Sequence, residues 1–280
     1  MAYKQIKYET GKVARVIMNR PRYLNALGRI LLDEIDDALA RAAADDEVKV
    51  IVLSGAGQHF SAGHDLGTPE ETEDRKTSTW REDGIGRYSE MKRRFVELGL
   101  RWHDLRKPTI AMVQGYCIFG GWMVATAMDI IFAAENALFL PSHFQYFSVP
   151  WDLGPRKAKE ILFEHRFMTA HEARFHGFVN RVYPDDKLEE ETIAYANRVA
   201  ENDPFRIRMA KQSINHMMDA MGYRSEIEGD YQTYYRRQTL SPVRPGRANE
   251  QSSSQSPGIA RADVAKQNLE LSRTQLRKSE

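Results

Sequence analysis

The chain is organised around residues 107–129, K-P-T-I-A-M-V-Q-G-Y-C-I-F-G-G-W-M-V-A-T-A-M-D. The apolar, β-branched run from Thr109 to Val113 predicts a buried strand, and Trp122 to Met128 predict a buried helix. Gly120 and Gly121 form the turn between them. Two glycines at the start of a helix let a ligand approach the backbone and leave N–H groups free to stabilise a developing negative charge. By itself this stretch is equally typical of an ordinary buried strand–turn–helix.

Two further stretches favour the functional interpretation. Val48 to Ser54 predicts a second buried strand, followed at residues 55–66 by G-A-G-Q-H-F-S-A-G-H-D-L, and residues 19–27 read N-R-P-R-Y-L-N-A-L. In this order and at these separations, the three motifs resemble those of the crotonase (enoyl-CoA hydratase/isomerase) superfamily, over about residues 5–240. The resemblance implies an α/β fold with a crotonase-like ββα spiral core and a C-terminal helical oligomerisation region.

The resemblance also implies the chemistry of the site. In this family two backbone N–H groups polarise the carbonyl of an acyl-CoA thioester, and here they correspond to the amides of His64 and Gly120. The imidazole of His64 is then expected to be a pocket wall, although some decarboxylating members carry histidine at this position. The resemblance also implies which residues bind the substrate or CoA. These are Arg22, Ala26, Ala62, Gly63, Asp65, Gly121 and Met123. Arg22 is equally well explained as a solvated arginine.

Two positions depart from the family pattern. The glutamates that serve hydratases as acid and base correspond to Met123 and His143. A thioether cannot move a proton, whereas a histidine can act as a base near neutral pH. Asp152 follows nine residues after His143, beyond a Val149-Pro150 bend, and could orient the imidazole. This arrangement is similar to the His/Asp pair of the superfamily's β-diketone hydrolases; the alternative is that both residues are structural.

Composition narrows the function further. Forty Lys and Arg against 39 Asp and Glu give a net charge of +1, which argues against nucleic acid or an anionic membrane as a partner. The N-terminus lacks the apolar core of a signal peptide, and the single Cys117 is better explained as a buried thiol than as a reactive one. We therefore expect a cytoplasmic protein. We expect no metal and no cofactor, because CoA is part of the substrate.

The chain divides into three predicted regions: a core over 1–185, a helical oligomerisation region over 186–240, and a linker with a disordered tail over 241–280. Residues 67–86 are polar and are interpreted either as a mobile loop over the site or as a solvated insertion. Residues 259–277 could form a helix, but their thin apolar face favours a frayed tail. In the helical region, methionine and tyrosine stripes predict core or subunit contacts. The family resemblance implies that the subunits form a trimer or a dimer of trimers.

Together with the family resemblance, these features predict an enzyme that acts on an acyl-CoA with water as co-substrate. Enoyl-CoA hydration with His143 as the base and hydrolysis of a β-keto acyl-CoA are close alternatives. Decarboxylation or double-bond isomerisation comes third. A protein of another class, which binds acyl-CoA without turning it over, also fits the sequence, because it would keep the two amides and lack the acids.

Overall fold

The computed structural model describes residues 3–77, 83–240 and 257–278. None of the helices in those ranges is both long and apolar enough to cross a bilayer. The strands are β1 Ile6–Glu9, β2 Val13–Met18, β3 Val50–Gly55, β4 Thr109–Val113, β5 Tyr116–Ile118, β6 Ile130–Ala134, β7 Leu138–Leu140, β8 Met168–Thr169 and β9 Arg181–Tyr183. The helices are α1 Arg29–Ala44, α2 Pro69–Thr77, α3 Gly84–Lys92, α4 Leu98–His103, α5 Gly120–Thr126, α6 Val149–Leu153, α7 Pro155–Glu164, α8 Ala170–Phe175, α9 Leu188–Ala200, α10 Pro204–Ala220, α11 Tyr223–Leu240 and α12 Pro257–Lys278. A 3-10 turn at Pro21–Tyr23 and a π-helical segment at Arg93–Glu97 complete the element list.

A six-stranded sheet forms the centre of the core, in the order β1-β2-β3-β4-β6-β9. Its β1–β2 pair is antiparallel and its other pairs are parallel. Because side chains alternate along a strand, β3 places Ile51 and Leu53 in the main core with α1, whereas Val50 and Val52 face α9. Both faces are covered, which explains why β3 and β4 are apolar throughout. The predicted α/β fold class is confirmed.

A second sheet, in the order β5-β7-β8, leads directly into α5. The chain leaves β4, passes Gly115 in the left-handed region at φ +55°, and enters β5. A side chain at Gly115 would collide with the carbonyl oxygen of Gln58, 2.2 Å from an added Cβ. This turn therefore brings the glycine-rich segment before α5 against residues 58–64.

Two loop predictions need correction. Most of residues 67–86 is helical, because α2 and the start of α3 lie there, although residues 78–82 fall outside the described ranges. Ion pairs attach α2 to α1: Asp74, which is buried, binds the guanidinium of Arg29, and Glu71 accepts a hydrogen bond from the Arg29 amide at 3.1 Å. The second correction concerns the loop after β7, where Val149 to Leu153 form α6 in place of the predicted bend.

The predicted frayed tail is also corrected, because residues 257–278 form α12 and pack on the second sheet. The contacts are made by Ala262, Ala265 and Leu269, which cover Ile118 and Phe167. The Phe167 amide donates a hydrogen bond to the Ala265 carbonyl at 3.3 Å. The predicted linker at 241–256 lies outside the described residues.

The docking of α12 gives a prediction with a matched control. Leu269 is 8% exposed and Leu271, on the other side of the helix, is 62% exposed. Leu269→Ala is expected to weaken docking by about 2 kcal/mol, the lower end for a buried leucine. Limited proteolysis should then cut the tail at least about tenfold faster, whereas Leu271→Ala should leave the rate unchanged. Equal cleavage of both variants would indicate that the tail is frayed, as the sequence suggests.

Candidate active site

Two glycine-containing segments meet at the start of α5. An added Cβ at Gly121 would lie 2.7 Å from the carbonyl oxygen of Ser61, and one at Gly63 would lie 2.7 Å from that of Ile118. The Ile118 amide donates to the Ser61 carbonyl at 3.1 Å, which fixes the two segments in register. Glycine is needed at both positions because the backbones touch. The structure thus joins the two stretches that the sequence singled out.

The amides of His64 and Gly120 belong to the two segments that meet here, where a Cβ added at Gly63 would lie 2.9 Å from the Gly120 nitrogen. Leu27 forms a bridge with His64 in which the Leu27 amide donates to the Gly63 carbonyl at 2.7 Å and the Asp65 amide donates to Leu27 at 3.1 Å. The bridge therefore uses the peptide groups on either side of His64 and not its own N–H. Gly120 is the first residue of α5, so its N–H has no acceptor within the helix. Within the described residues, neither N–H donates a backbone hydrogen bond.

The imidazole of His64 forms a wall beside these amides. Its Nε2 lies 3.1 Å from Oε1 of Gln145, and its ring packs on Phe95 and Phe144, with centroids 4.3 and 5.0 Å away. Because the amide oxygen of Gln145 accepts, Nε2 carries the proton. Burial lowers the pKa of His64 to about 4, so the ring is neutral at physiological pH. A methyl group on Gly120 would lie 2.9 Å from its Nδ1.

His143 pairs with a residue that the sequence did not single out. Its Nε2 lies 3.0 and 3.1 Å from the two carboxylate oxygens of Asp230, on α11. The ring also contacts Phe147 and Tyr234 edge-on. The loop that carries His143 continues into Phe144 and Gln145, which contact His64. Met123, on α5, is 6% exposed.

The predicted pairing of His143 with Asp152 is not formed. The carboxylate of Asp152 accepts hydrogen bonds from Trp122 Nε1 at 2.8 Å, Thr126 Oγ1 at 2.7 Å and Ser148 Oγ at 2.7 Å. Helix α6 causes this difference, because it turns Asp152 toward α5 instead of folding it back onto His143. Burial raises the pKa of Asp152 to about 6, against the three hydrogen bonds, which lower it. Asp152 therefore fastens α6 to α5.

This arrangement predicts a pH-dependent effect of Asp152→Asn. The amide oxygen can accept from Trp122 and Ser148 while its nitrogen donates to Thr126, so the fold should persist. The carboxyl pKa is about 6 in the native protein against 3.8 ordinarily. The protonated carboxyl therefore contributes stability below pH 3.8 that is lost as the pH rises through 6.

Thermal unfolding at several pH values checks this expectation. Between pH 4 and 8, the free energy of unfolding of Asp152→Asn should rise relative to that of the wild type, by on the order of 2 kcal/mol. Its turnover should stay within about threefold of the wild type, because Asp152 does not contact His143. A collapse of the rate in the folded variant would restore Asp152 to the reaction.

The side chain of Asp65, which the sequence assigns to substrate or CoA binding, is buried in an ion pair. Its side chain is 0% exposed, pairs with Arg20 at 2.8 Å and accepts hydrogen bonds from the amides of Gly67 and Thr68. These bonds lower the pKa of Asp65 against the effect of burial. Arg20 also binds Glu70 and the Ala26 carbonyl. The pair therefore holds the loop after His64 in place, and removing Arg20 would leave a buried charge unpaired.

The remaining predicted binding residues lie around the same loop. The guanidinium of Arg22 is 68% exposed, binds Glu70 at 2.5 Å and stacks over Tyr23. Ala26 and Ala62 are half-buried, and the Ala62 amide donates to the Leu24 carbonyl. Sequence reasoning missed Arg20, Gln145 and Asp230. Gln145 lies two residues from His143 and could have been found, whereas Asp230 is 87 residues away with no local signal.

Comparison with known proteins shows which family this chain resembles. The family model described as enoyl-CoA hydratase/isomerase matches residues 8–251. The Mycobacterium tuberculosis protein EchA13, named for an inferred enoyl-CoA hydratase activity, is 35% identical over 254 residues, which cover 83% of this chain and 80% of that protein.

Solved structures agree with the sequence relatives. A structure from Mycobacterium thermoresistibile, described as a probable enoyl-CoA hydratase, has a TM-score of 0.74 and 41% identity, covering 83% of this chain and 95% of that one. An enoyl-CoA hydratase/isomerase from Xanthobacter autotrophicus Py2 has a TM-score of 0.76 at 29% identity and covers 96% of this chain and 97% of that one. The second likeness extends over nearly the whole chain.

Proposed function

The chain belongs to the enoyl-CoA hydratase/isomerase (crotonase) family and is a hydratase-type enzyme of it, and from that membership we propose that it adds water to an enoyl-CoA thioester held by the amides of His64 and Gly120. The observation that carries the proposal is the meeting of these two unused N–H groups at the start of α5. Two such donors stabilise the enolate oxygen more than the ground-state carbonyl, which lowers the barrier.

His143 supplies the base in this proposal, and Asp230 takes the orienting role first assigned to Asp152. The imidazole removes a proton from water while the oxygen attacks the β-carbon and the electron pair of the double bond moves to the thioester oxygen. The imidazolium then returns its proton to the α-carbon. Asp230, 3.0 Å from Nε2, fixes the ring and stabilises its charged form.

The substrate is proposed to reach this site along the loop before α1. In this proposal the exposed guanidinium of Arg22 meets CoA phosphates, and the half-buried residues Ala26 and Ala62 meet the adenine end. Gly63 and Gly121 allow the close approach of the two segments, and Met123 would line the acyl pocket. We propose that the reaction takes place in the cytoplasm and uses no further cofactor or metal.

Hydrolysis of a β-keto acyl-CoA is the second candidate. Met123 favours it, because hydration in this family uses two carboxylates and this chain has a thioether and an imidazole at those positions. The same oxyanion site and the same base would serve a carbon–carbon cleavage by water.

Mass spectrometry of the purified protein with a panel of CoA esters tests the proposal. Hydration should convert a 2-enoyl-CoA into a product heavier by one water, whereas hydrolysis should split a β-keto ester into two. Decarboxylation would release carbon dioxide. Binding of CoA esters without any product would overturn the enzymatic proposal and indicate a silent binding protein.

We also propose that the chain associates with copies of itself through α10. One side of this helix carries Ile214 and Met217, which are 55 and 49% exposed, and Met221, directly after its last turn, is 66% exposed. Between this helix and the sheet lies a cavity of about 760 Å³. Its lining includes Asp152 but neither His64 nor Gly120. An apolar helix face of this kind is typical of subunit contacts. Light scattering should give a trimer or a dimer of trimers, and a monomer at micromolar concentration would contradict the proposal.

A further inference from the structure

Helix α11 presents two carboxylates to His143. Asp230 makes the direct contact, and Glu226 lies four residues earlier on the same face of the helix. The groups that face Glu226 are Asp230 and Tyr223 on α11, Trp151 on α6 and His143 in the loop before α6. The mechanism above uses Asp230 and leaves Glu226 without a task.

Glu226 is not an ordinary surface glutamate. Its Oε2 is buried and has no hydrogen-bond partner among the described residues. Burial and the neighbouring Asp230 raise the pKa of Glu226, and a hydrogen bond from Trp151 and the charge of His143 lower it. Electrostatic coupling is reciprocal, so a carboxylate that is stabilised by an imidazolium stabilises that imidazolium equally.

We propose that Glu226 is a positioning residue of the acid–base centre, whose carboxylate joins that of Asp230 in stabilising the imidazolium that His143 becomes when it takes a proton from water. The inference rests on the proposed function, which gives one imidazole both proton transfers. A single group that must hold the proton between the two steps needs a stabilised charged form. With a thioether at position 123, the second carboxylate comes from α11.

The experiment compares Glu226→Gln with Glu228→Gln, an exposed glutamate two residues away on the same helix. The isosteric amide keeps a group that can accept from Trp151 and removes the charge. Glu226→Gln should lower kcat about tenfold, as expected for one unit charge across a partly buried site, with the dissociation constant for the acyl-CoA unchanged. Glu228→Gln should match the wild type.

The pH profile separates this role from a structural one. Because the pKa of Glu226 is raised, its carboxylate should protonate on the acid side of the wild-type profile and make that limb steeper than a one-proton dependence. In Glu226→Gln the slope of the acid limb should fall to that of a single protonation. Glu226→Asp, which keeps the charge, should restore the steeper slope. Unchanged kcat and an unchanged limb in folded Glu226→Gln would overturn the proposal.

A measurement without turnover keeps the inference separate from the proposed function. The ring protons of His143, followed by NMR against pH, should report one inflection fewer in Glu226→Gln than in the wild type. The same number of inflections in both proteins would overturn the coupling. Absence of turnover with every CoA ester would refute the proposed function, and the NMR titration would still decide whether Glu226 and His143 titrate together.

Discussion

Replacing Gly120 by proline is expected to lower turnover at least about a hundredfold, the scale for losing one oxyanion-hole donor. Proline has no N–H, so one of the two amides that meet at the start of α5 disappears. The first helical position accepts proline, although a Cβ there also crowds His64. Steady-state kinetics on the substrate found by the panel measure the loss, and circular dichroism must show an intact fold.

Gly120→Ala is the matched control for this variant. Its Cβ would lie 2.9 Å from Nδ1 of His64 and 3.0 Å from Cδ1 of Leu27, so it brings the crowding of the proline ring but keeps the N–H. A smaller loss in the alanine variant would assign the difference to the donor. Equal losses would assign the effect to displacement of His64, and full activity in folded Gly120→Pro would remove the amide from the site.

The parts of the fold that local patterns determine could be predicted from the sequence. The buried strand around Val50 and the strand–turn–helix ending in α5 follow from apolar runs broken by glycine. The contact between Gly63 and the start of α5 could not be derived from either stretch alone. It came from the family resemblance, because the close approach of two backbones depends on tertiary structure.

The errors have identifiable physical causes. A proline at the second position of α6 is a helix-start signal, and interpreting Val149-Pro150 as a bend gave Asp152 the wrong direction. Of the large apolar residues of α12, Leu269 is buried but Val264 and Leu271 are exposed. Ala262 and Ala265 complete the contact, and small residues give little periodic signal. The partner of His143 was missed because α11 returns to the site only in the folded chain.

His143→Ala is expected to reduce turnover by about a hundredfold or more while acyl-CoA binding survives, since general bases contribute factors of 10² to 10⁴. In the proposed function, binding rests on the amides of His64 and Gly120, which the change does not touch. Kinetics and an equilibrium binding measurement on the same preparation check both halves of the expectation. Asp230→Asn should lower turnover less than His143→Ala does, because it removes the group that orients and stabilises the imidazolium but leaves the imidazole itself.

The comparison with Asp152→Asn makes this test specific to the geometry. The folded chain pairs His143 with Asp230 and directs Asp152 to Trp122, so the rate should fall in Asp230→Asn and persist in Asp152→Asn. The opposite order would indicate that the pair predicted from the sequence forms during turnover.

Met123→Glu restores one family carboxylate, and faster hydration of crotonyl-CoA by this variant would show that the missing carboxylate limits the reaction. Wild-type turnover in His143→Ala would mean that the base lies elsewhere, because no imidazole would remain at that position to take the proton from water.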